Sequence, residues 1–164
     1  MNIMYVNRFL NNIRYKRHSF LFGINDTLFK QPLYKFNIKD VKDNIHPETI
    51  NILNMIQKEG HSLNIISRMN NDVKAIECVD IGFPMINFDN KEIFMTQMYK
   101  NKHVEKLINN NKIDDDFILF DSNSEVIFNV IKEFPVALGI YTNGCLKYST
   151  FVNNNNNYYY NTVI

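Results

Sequence analysis

The sequence predicts an α/β domain in which helices cover both faces of a largely parallel β-sheet. Short apolar runs alternate along the chain with longer segments whose apolar residues recur at helical spacing. Three of the four strongest apolar runs end in polar residues, as strands do where they deliver loops to the carboxyl edge of a parallel sheet. The chain has 164 residues, 45% of them hydrophobic, which is enough for one core of this kind.

The first half of the chain supplies two strands and two helices. Pro47 suits the first turn of a helix, where its missing N–H has no partner to lose. The apolar stripe that follows Pro47 stops before Gly60, a residue typical of helix C-termini. Residues 31–45 show no clear periodicity and contain Pro32, so we expect a connecting excursion over the sheet. The predicted elements are strand 19–22, helix 47–59, strand 63–66 and helix 71–79.

The second half continues the alternation. Residues 117–120 form the clearest buried strand, which ends at Asp121. Two weaker strand candidates, 85–88 and 93–95, flank a turn signal at residues 89–90. The other predicted elements are helix 102–108, helix 124–131 and strand 136–141.

The two ends of the chain differ in composition from its centre. Residues 1–18 are basic and contain no acid, which predicts a basic N-terminal arm or a packed first helix, with a mitochondrial presequence as the alternative. Residues 151–164 include five consecutive asparagines, and such a polar tract predicts a disordered tail. The domain proper is expected over residues 19–150, and the protein is expected in the cytoplasm.

Charge and cysteine usage exclude several classes of function. A net charge of +1 provides no general attraction to nucleic acid or to an anionic membrane, so neither is an expected partner. Cys78 and Cys145 lie far apart without metal-ligand spacing, and the four histidines show no such spacing either. We therefore expect two free thiols and no zinc site.

Four segments, taken in order, carry a resemblance to a known family. An apolar strand leads into Gly23-Ile24-Asn25-Asp26-Thr27, a second ends in Ser67-Arg68, a third segment reads Lys100-Asn101-Lys102-His103, and a third strand ends in Phe120-Asp121-Ser122. This order resembles the four motifs of the haloacid dehalogenase superfamily, in particular its magnesium-dependent phosphatases. The resemblance covers roughly residues 19–144. It implies a Rossmann-like sheet with a minimal cap or none.

The resemblance also implies roles for individual positions. In the family, the first aspartate of the first motif attacks phosphorus and the second is the general acid and base. Those positions are Gly23 and Asn25 here, so covalent catalysis by this route is not expected. The phosphate-holding positions are retained as Ser67 and Lys100, with Lys102 as a competitor for the lysine role. Arg68 either meets a phosphate bidentately or is only solvated.

The family's magnesium site is damaged in this sequence. The attacking aspartate and an Asp-Asp pair supply its carboxylates, and of these only Asp121 keeps its charge, since Ser122 replaces the second aspartate of the pair. We expect Mg²⁺ binding to be weak or absent. Asp26 is a possible substitute nucleophile, although an aspartate in this position is more simply explained by a turn.

Three hypotheses about function follow. The preferred one is a catalytically degenerate phosphatase relative that binds a phosphorylated small molecule, a phosphoprotein or another protein partner. The second is an active phosphatase acting on a phosphomonoester or phosphoprotein through Asp26, Lys100 and Asp121. The third is a purely structural or interaction protein whose crevice binds nothing.

Overall fold

The residues that the structure describes form one seven-stranded sheet. The computed structural model describes residues 16–94, 99–147, 149–152 and 158–162. The strands are β1 Ser19–Phe22, β2 Ser62–Arg68, β3 Asn90–Phe94, β4 Ile118–Asp121, β5 Leu138–Tyr141, β6 Thr150–Val152 and β7 Tyr158–Thr162. Their order is β3-β2-β1-β4-β5-β6-β7, with the first five parallel and the last two antiparallel to their neighbours. The predicted Rossmann-like α/β architecture is confirmed.

In the part of the chain that the structure describes, four α-helices connect the parallel strands, and three of them begin at a recognisable sequence feature. Pro47 occupies the first turn of its helix as predicted. Asn71 and Asn123 cap two others, accepting hydrogen bonds from the backbone N–H of Lys74 at 2.9 Å and of Glu125 at 3.0 Å. None of the described helices is long and apolar enough to cross a membrane. The helices are α1 Pro47–Lys58, α2 Asp72–Gly82, α3 Lys100–Asn109 and α4 Ser124–Glu133.

The alternation of side chains along β1 divides the core into two layers. Phe20 and Phe22 point to the face covered by α1 and α2, where the Phe22 ring lies 5.1 Å from that of Phe120. Leu21 points to the opposite face, against α3 and α4. Successive strand residues face opposite sides of a sheet, so one short apolar run serves both layers.

Residues 31–45 form three short 3₁₀ turns rather than a regular element. Four of their apolar side chains are buried in the layer under α1 and α2, and the Lys74 ammonium of α2 donates to the Leu33 and Phe36 carbonyls at 2.6 and 2.9 Å. The predicted connecting excursion is therefore tied to the body of the domain. The four buried residues are Leu33, Phe36, Val41 and Ile45.

The predicted strand at 85–88 is wrong. Pro84 and Met85 lie in a turn, and the Asn87 N–H donates to the Gln57 side chain at 2.7 Å instead of to a neighbouring strand. The strand of this region is β3, which begins at Asn90 and includes part of the second weak candidate, 93–95. The apolar residues at 85–88 resemble a strand locally. Pro84 has no N–H to donate to a neighbouring strand, however, and the Gln57 side chain of α1 accepts the hydrogen bond from Asn87.

The tail also differs from the expectation of disorder. Within residues 151–164, β6 pairs with β5 and β7 pairs with β6, both antiparallel. Tyrosine, threonine and valine favour strands, and the edge of β5 offers unpaired backbone groups. The asparagine run at 153–157 lies outside the described residues, and so do residues 1–15 of the predicted basic arm. Arg17, from the end of that arm, is an exposed residue paired with Asp89 at 2.9 Å.

Candidate functional site

A crevice of about 330 Å³ opens at the carboxyl edge of the sheet, where β1, β2 and β4 end side by side. Parallel neighbours deliver their following residues to the same edge, which is where open α/β sheets bind ligands. Residue 26 and residues 31–45 are not among those that line it. Six of the sequence-predicted residues do line it, namely Gly23, Asn25, Ser67, Arg68, Lys100 and Asp121.

Gly23 stands at the tip of β1 in a conformation open to any residue. Its φ of −67° and ψ of 169° are ordinary extended values, so glycine is not required by the backbone. A Cβ atom there would lie 3.2 Å from Asp121 Oδ2 and 3.3 Å from Thr27 Oγ1, both side-chain atoms. An aspartate at position 23 would therefore need shifts of only a few tenths of an ångström, but it would face the Asp121 carboxylate.

Asn25 is committed to the architecture of the loop. Its side-chain Oδ1 accepts a hydrogen bond from the Leu33 N–H at 3.0 Å, and its carbonyl accepts one from Ser122 Oγ at 3.0 Å. These bonds join the turn after β1 to the excursion and to the end of β4. Asn25 thus holds the loop in place through its side-chain amide and its backbone carbonyl.

The Lys100 ammonium forms an ion pair with the Asp121 carboxylate inside the crevice. Both side chains are largely buried, with 11% and 8% of their surfaces exposed. The other carboxylate oxygen of Asp121 accepts from the Asn123 N–H at 2.9 Å. Both carboxylate oxygens of Asp121 therefore already accept a hydrogen bond.

Lys102 is the less suitable of the two candidate lysines. It is exposed on α3, where its ammonium pairs with Glu105 at 3.1 Å and Glu133 at 3.5 Å. It does not line the crevice, whereas Lys100 does. The two lysines are two residues apart, so they point to nearly opposite sides of the helix, one to the crevice and one to solvent.

Ser67 and Arg68 are the last two residues of β2, which extends beyond the predicted strand 63–66. Ser67 is buried, with 5% of its surface exposed, and Arg68 is exposed. A buried hydroxyl beside an exposed guanidinium can bind an anion such as phosphate, because both supply donors to its oxygens.

The residues present do not fit a magnesium ion. Mg²⁺ needs several oxygen ligands in octahedral geometry. Among the crevice-lining residues that the structure describes, Asp121 and Glu125 are the carboxylates, and the first is bonded to Lys100 and to a backbone N–H. A lysine ammonium thus lies against Asp121, where its positive charge opposes the binding of a cation.

Asp26 lies beside the crevice loop but does not join its lining. Its backbone has a φ of 53°, and its carbonyl accepts the Gly144 N–H at 2.5 Å. Burial raises the pKa of its carboxyl, partly opposed by the nearby charge of Lys35. The residue thus occupies a tight left-handed turn, in which aspartate is one of the tolerated residues.

Helix α4 contributes crevice residues that the sequence analysis missed. Glu125 and Asn129 are spaced four apart, so they share the helix face that lies over the crevice. The available signal was the start of α4 directly after Asp121, which places its first turns at the same sheet edge. Tyr99, 73% exposed and directly before α3, also lines the crevice.

Comparisons with known proteins show the fold and no closer relationship. No family model matches the sequence, and no curated protein matches it either. Among solved structures, the chain is similar to the N-terminal part of a Bacteroides fragilis protein that contains a phosphatase domain, crystallised in complex with Mg. The TM-score is 0.59 at 15% identity, and the match covers 75% of this chain and 35% of that one. The chain therefore has the α/β fold of a phosphatase domain.

Proposed function

We propose that this domain is a haloacid dehalogenase-like phosphatase scaffold that has lost catalysis and binds a phosphorylated ligand in the crevice. One observation carries the proposal. Lys100 forms its ion pair with Asp121 at the site where the family resemblance implies a metal and a nucleophilic aspartate, while positions 23 and 25 offer no carboxylate.

The placement of Lys100 supports a binding role. Lys100 is the first residue of α3, and a cation at a helix N-terminus is unfavourable because the helix dipole is positive there. The Asp121 carboxylate offsets this cost. The ammonium is thereby fixed where it neutralises the carboxylate and presents its remaining protons to the crevice.

The described residues of the crevice can bind a phosphate group but supply no nucleophile to hydrolyse its ester. Arg68, Lys100 and the Ser67 hydroxyl supply hydrogen-bond donors, whereas the crevice holds no activated nucleophile among its described residues. A phosphoserine or phosphothreonine on a protein partner would present the same phosphate group as a small phosphomonoester. The cytoplasmic location and the preference for a phosphorylated ligand over an unmodified partner protein remain predictions.

Hydrolysis is tested with the wild-type chain and the double variant Gly23→Asp, Asn25→Asp in a magnesium-dependent assay with an aryl phosphate. We expect no enzyme-like turnover by the wild type. Turnover by the double variant would support descent from an active scaffold, because the extended conformation at position 23 accepts aspartate. Wild-type turnover that is lost in Asp26→Ala but kept in Lys112→Ala would instead establish the alternative nucleophile and refute the proposal.

Binding is tested by the melting temperature and by calorimetry with inorganic phosphate and phosphoserine. Ligands that bind only the folded state raise its melting temperature. We expect this shift in the wild type, a reduced shift in Arg68→Ala and Ser67→Ala, and an unchanged shift in Lys102→Ala, the matched exposed cation. The absence of any shift with either ligand would favour a structural or interaction protein whose crevice is vestigial.

A further inference from the structure

A second cluster of ligand-bearing side chains lies at the same edge of the sheet, outside the crevice. His46 precedes α1, Glu48 lies in its first turn, and Cys145 lies in the loop after β5. An imidazole nitrogen, a carboxylate oxygen and the cysteine sulfur from these three residues lie within 4.8 Å of one another. We propose that they bind one zinc ion, which joins the start of α1 to the loop after β5.

The ligand chemistry selects zinc rather than magnesium. One nitrogen, one sulfur and one oxygen form a mixed donor set suited to a borderline-soft ion, whereas Mg²⁺ prefers oxygen alone. Three protein ligands also leave the fourth tetrahedral position to water, an arrangement common among zinc proteins. The site is independent of the proposed phosphate crevice, since none of its three residues lines that crevice.

The three ligand atoms need to move only slightly to bind one ion. Zinc–ligand bonds of about 2.0 to 2.3 Å place tetrahedral ligand atoms roughly 3.4 to 3.6 Å apart. Ligand atoms already within 4.8 Å therefore need to approach by at most about 1.4 Å. Side-chain rotations of His46 and Glu48, which are only partly buried, supply this movement.

The backbone that carries the ligands is firmly held. Thr142 Oγ1 donates to the Cys145 carbonyl at 2.9 Å, and the Leu146 N–H donates to Thr49 Oγ1 at 3.2 Å. The second bond links the cysteine loop directly to the first turn of α1. Two of the three ligands are thus presented by one helix start, and the third is fixed against it.

Charge balance also favours a divalent ion. Binding converts the Cys145 thiol to a thiolate with release of its proton, so thiolate and Glu48 carboxylate together supply two negative charges. They neutralise Zn²⁺ at a helix N-terminus, which would otherwise repel a cation. Because the proton is released, zinc affinity should fall as the pH is lowered.

The test uses the full chain, stripped of metal with a chelator and titrated with Co²⁺ as a spectroscopic substitute and then with Zn²⁺. We expect one equivalent of Co²⁺ per chain, a thiolate-to-cobalt charge-transfer band, and its loss on addition of Zn²⁺. Cys145→Ser should abolish the band, whereas Cys78→Ser, which alters the buried thiol of α2, should keep it.

His46→Ala and Glu48→Gln keep the proposal testable if the buried Cys145 tolerates no change. Neither replaces a capping side chain, since His46 makes no side-chain cap bond. Each should weaken zinc binding by more than about tenfold, because removing groups that merely orient a ligand already costs roughly 10- to 100-fold. The proposal is overturned if the wild type shows no saturable binding, if the band survives Cys145→Ser, or if both of the other variants bind zinc as the wild type does.

Discussion

The Lys100 side chain connects the electrostatics of the crevice to the stability of the fold. Its ammonium and the Asp121 carboxylate are both about nine-tenths buried, so each would be poorly solvated without the other. Burial of one unpaired charge is costly, whereas loss of both charges together is often tolerated. The pair is therefore expected to be strongly coupled.

Lys100→Met should lower the free energy of unfolding by about 3 kcal/mol, since it leaves the Asp121 carboxylate without its cation. Urea denaturation followed by circular dichroism measures the change. Lys102→Met, two residues further along α3, removes exposed ion pairs to Glu105 and Glu133 and should cost less than about 1 kcal/mol.

The double variant Lys100→Met, Asp121→Asn provides the internal check. Removal of both charges should recover much of the stability lost in Lys100→Met. If the single lysine variant is as stable as the wild type, the ion pair contributes nothing, and its place in the proposed function would need another explanation.

At the residue level, the sequence was sufficient to bring the strand-end residues to one edge of the sheet, but not to predict the crevice residues of α4. Each of Gly23, Ser67 and Asp121 lies at or just after the end of an apolar run, and parallel strands bring such positions to one edge. The pairing of Lys100 with Asp121 was not predictable, because it depends on where α3 begins. The approach of Cys145 to His46 was equally hidden, since it joins residues nearly a hundred positions apart that share no local spacing.

At the level of elements, α3 contains a histidine in an unusual environment. The His103 ring stacks on Phe94 of β3 with centroids 3.5 Å apart, and neither ring nitrogen has a hydrogen-bond partner among the described residues. Burial lowers the pKa of His103, Lys106 lowers it further, and Glu92 partly opposes both. The neutral imidazole is therefore the form that the fold accommodates.

His103→Phe should make the domain less sensitive to acid. A histidine whose pKa is lower in the folded state binds protons more readily when unfolded, so its contribution to stability is present above its ordinary pKa and lost as the pH falls through the folded value. Phenylalanine removes this loss and leaves no buried nitrogen unpaired. Melting temperatures measured from about pH 8 down to about pH 5 should fall less steeply in the variant.

Some acid sensitivity should remain, because burial also lowers the pKa of His61. The variant should be at least as stable as the wild type at neutral pH, since unsatisfied buried polar atoms cost about 1 to 3 kcal/mol. An unchanged pH dependence would show that His103 is hydrated or paired in solution, contrary to its buried, stacked placement.

The sequence predicts the boundaries of an element correctly where a capping or helix-stopping residue is present. The prediction is wrong where the hydrogen-bond partner lies far away in the sequence. Pro47 and Gly60 delimit α1 correctly, with Gly60 adopting a φ of 84°. The turn at 84–85 was mistaken for the start of a strand because its partner, Gln57, comes from another helix. β6 was missed because a three-residue strand is defined by the edge it covers rather than by its own sequence.

At the scale of the whole molecule, the two antiparallel strands complete one side of the sheet. β6 pairs with β5 through Gly139, Ile140 and Tyr141, so the last parallel strand does not present its backbone at an open edge. Phe151 packs on the core layer beneath α1 and α2, and Val152 packs on the opposite layer. This short strand therefore packs apolar side chains against both layers of the core.

A chain shortened to end at Ser149 should therefore self-associate, whereas one that ends at Val152 should not. The shorter chain exposes the N–H and C=O groups of β5, which can pair with another molecule. The longer chain keeps β6, and its new edge is only three residues long. Light scattering and size-exclusion chromatography over a range of concentrations separate the two cases. If both chains stay monomeric, β6 contributes packing alone, and the shorter chain should then show only a lower melting temperature from the loss of its Phe151 and Val152 contacts.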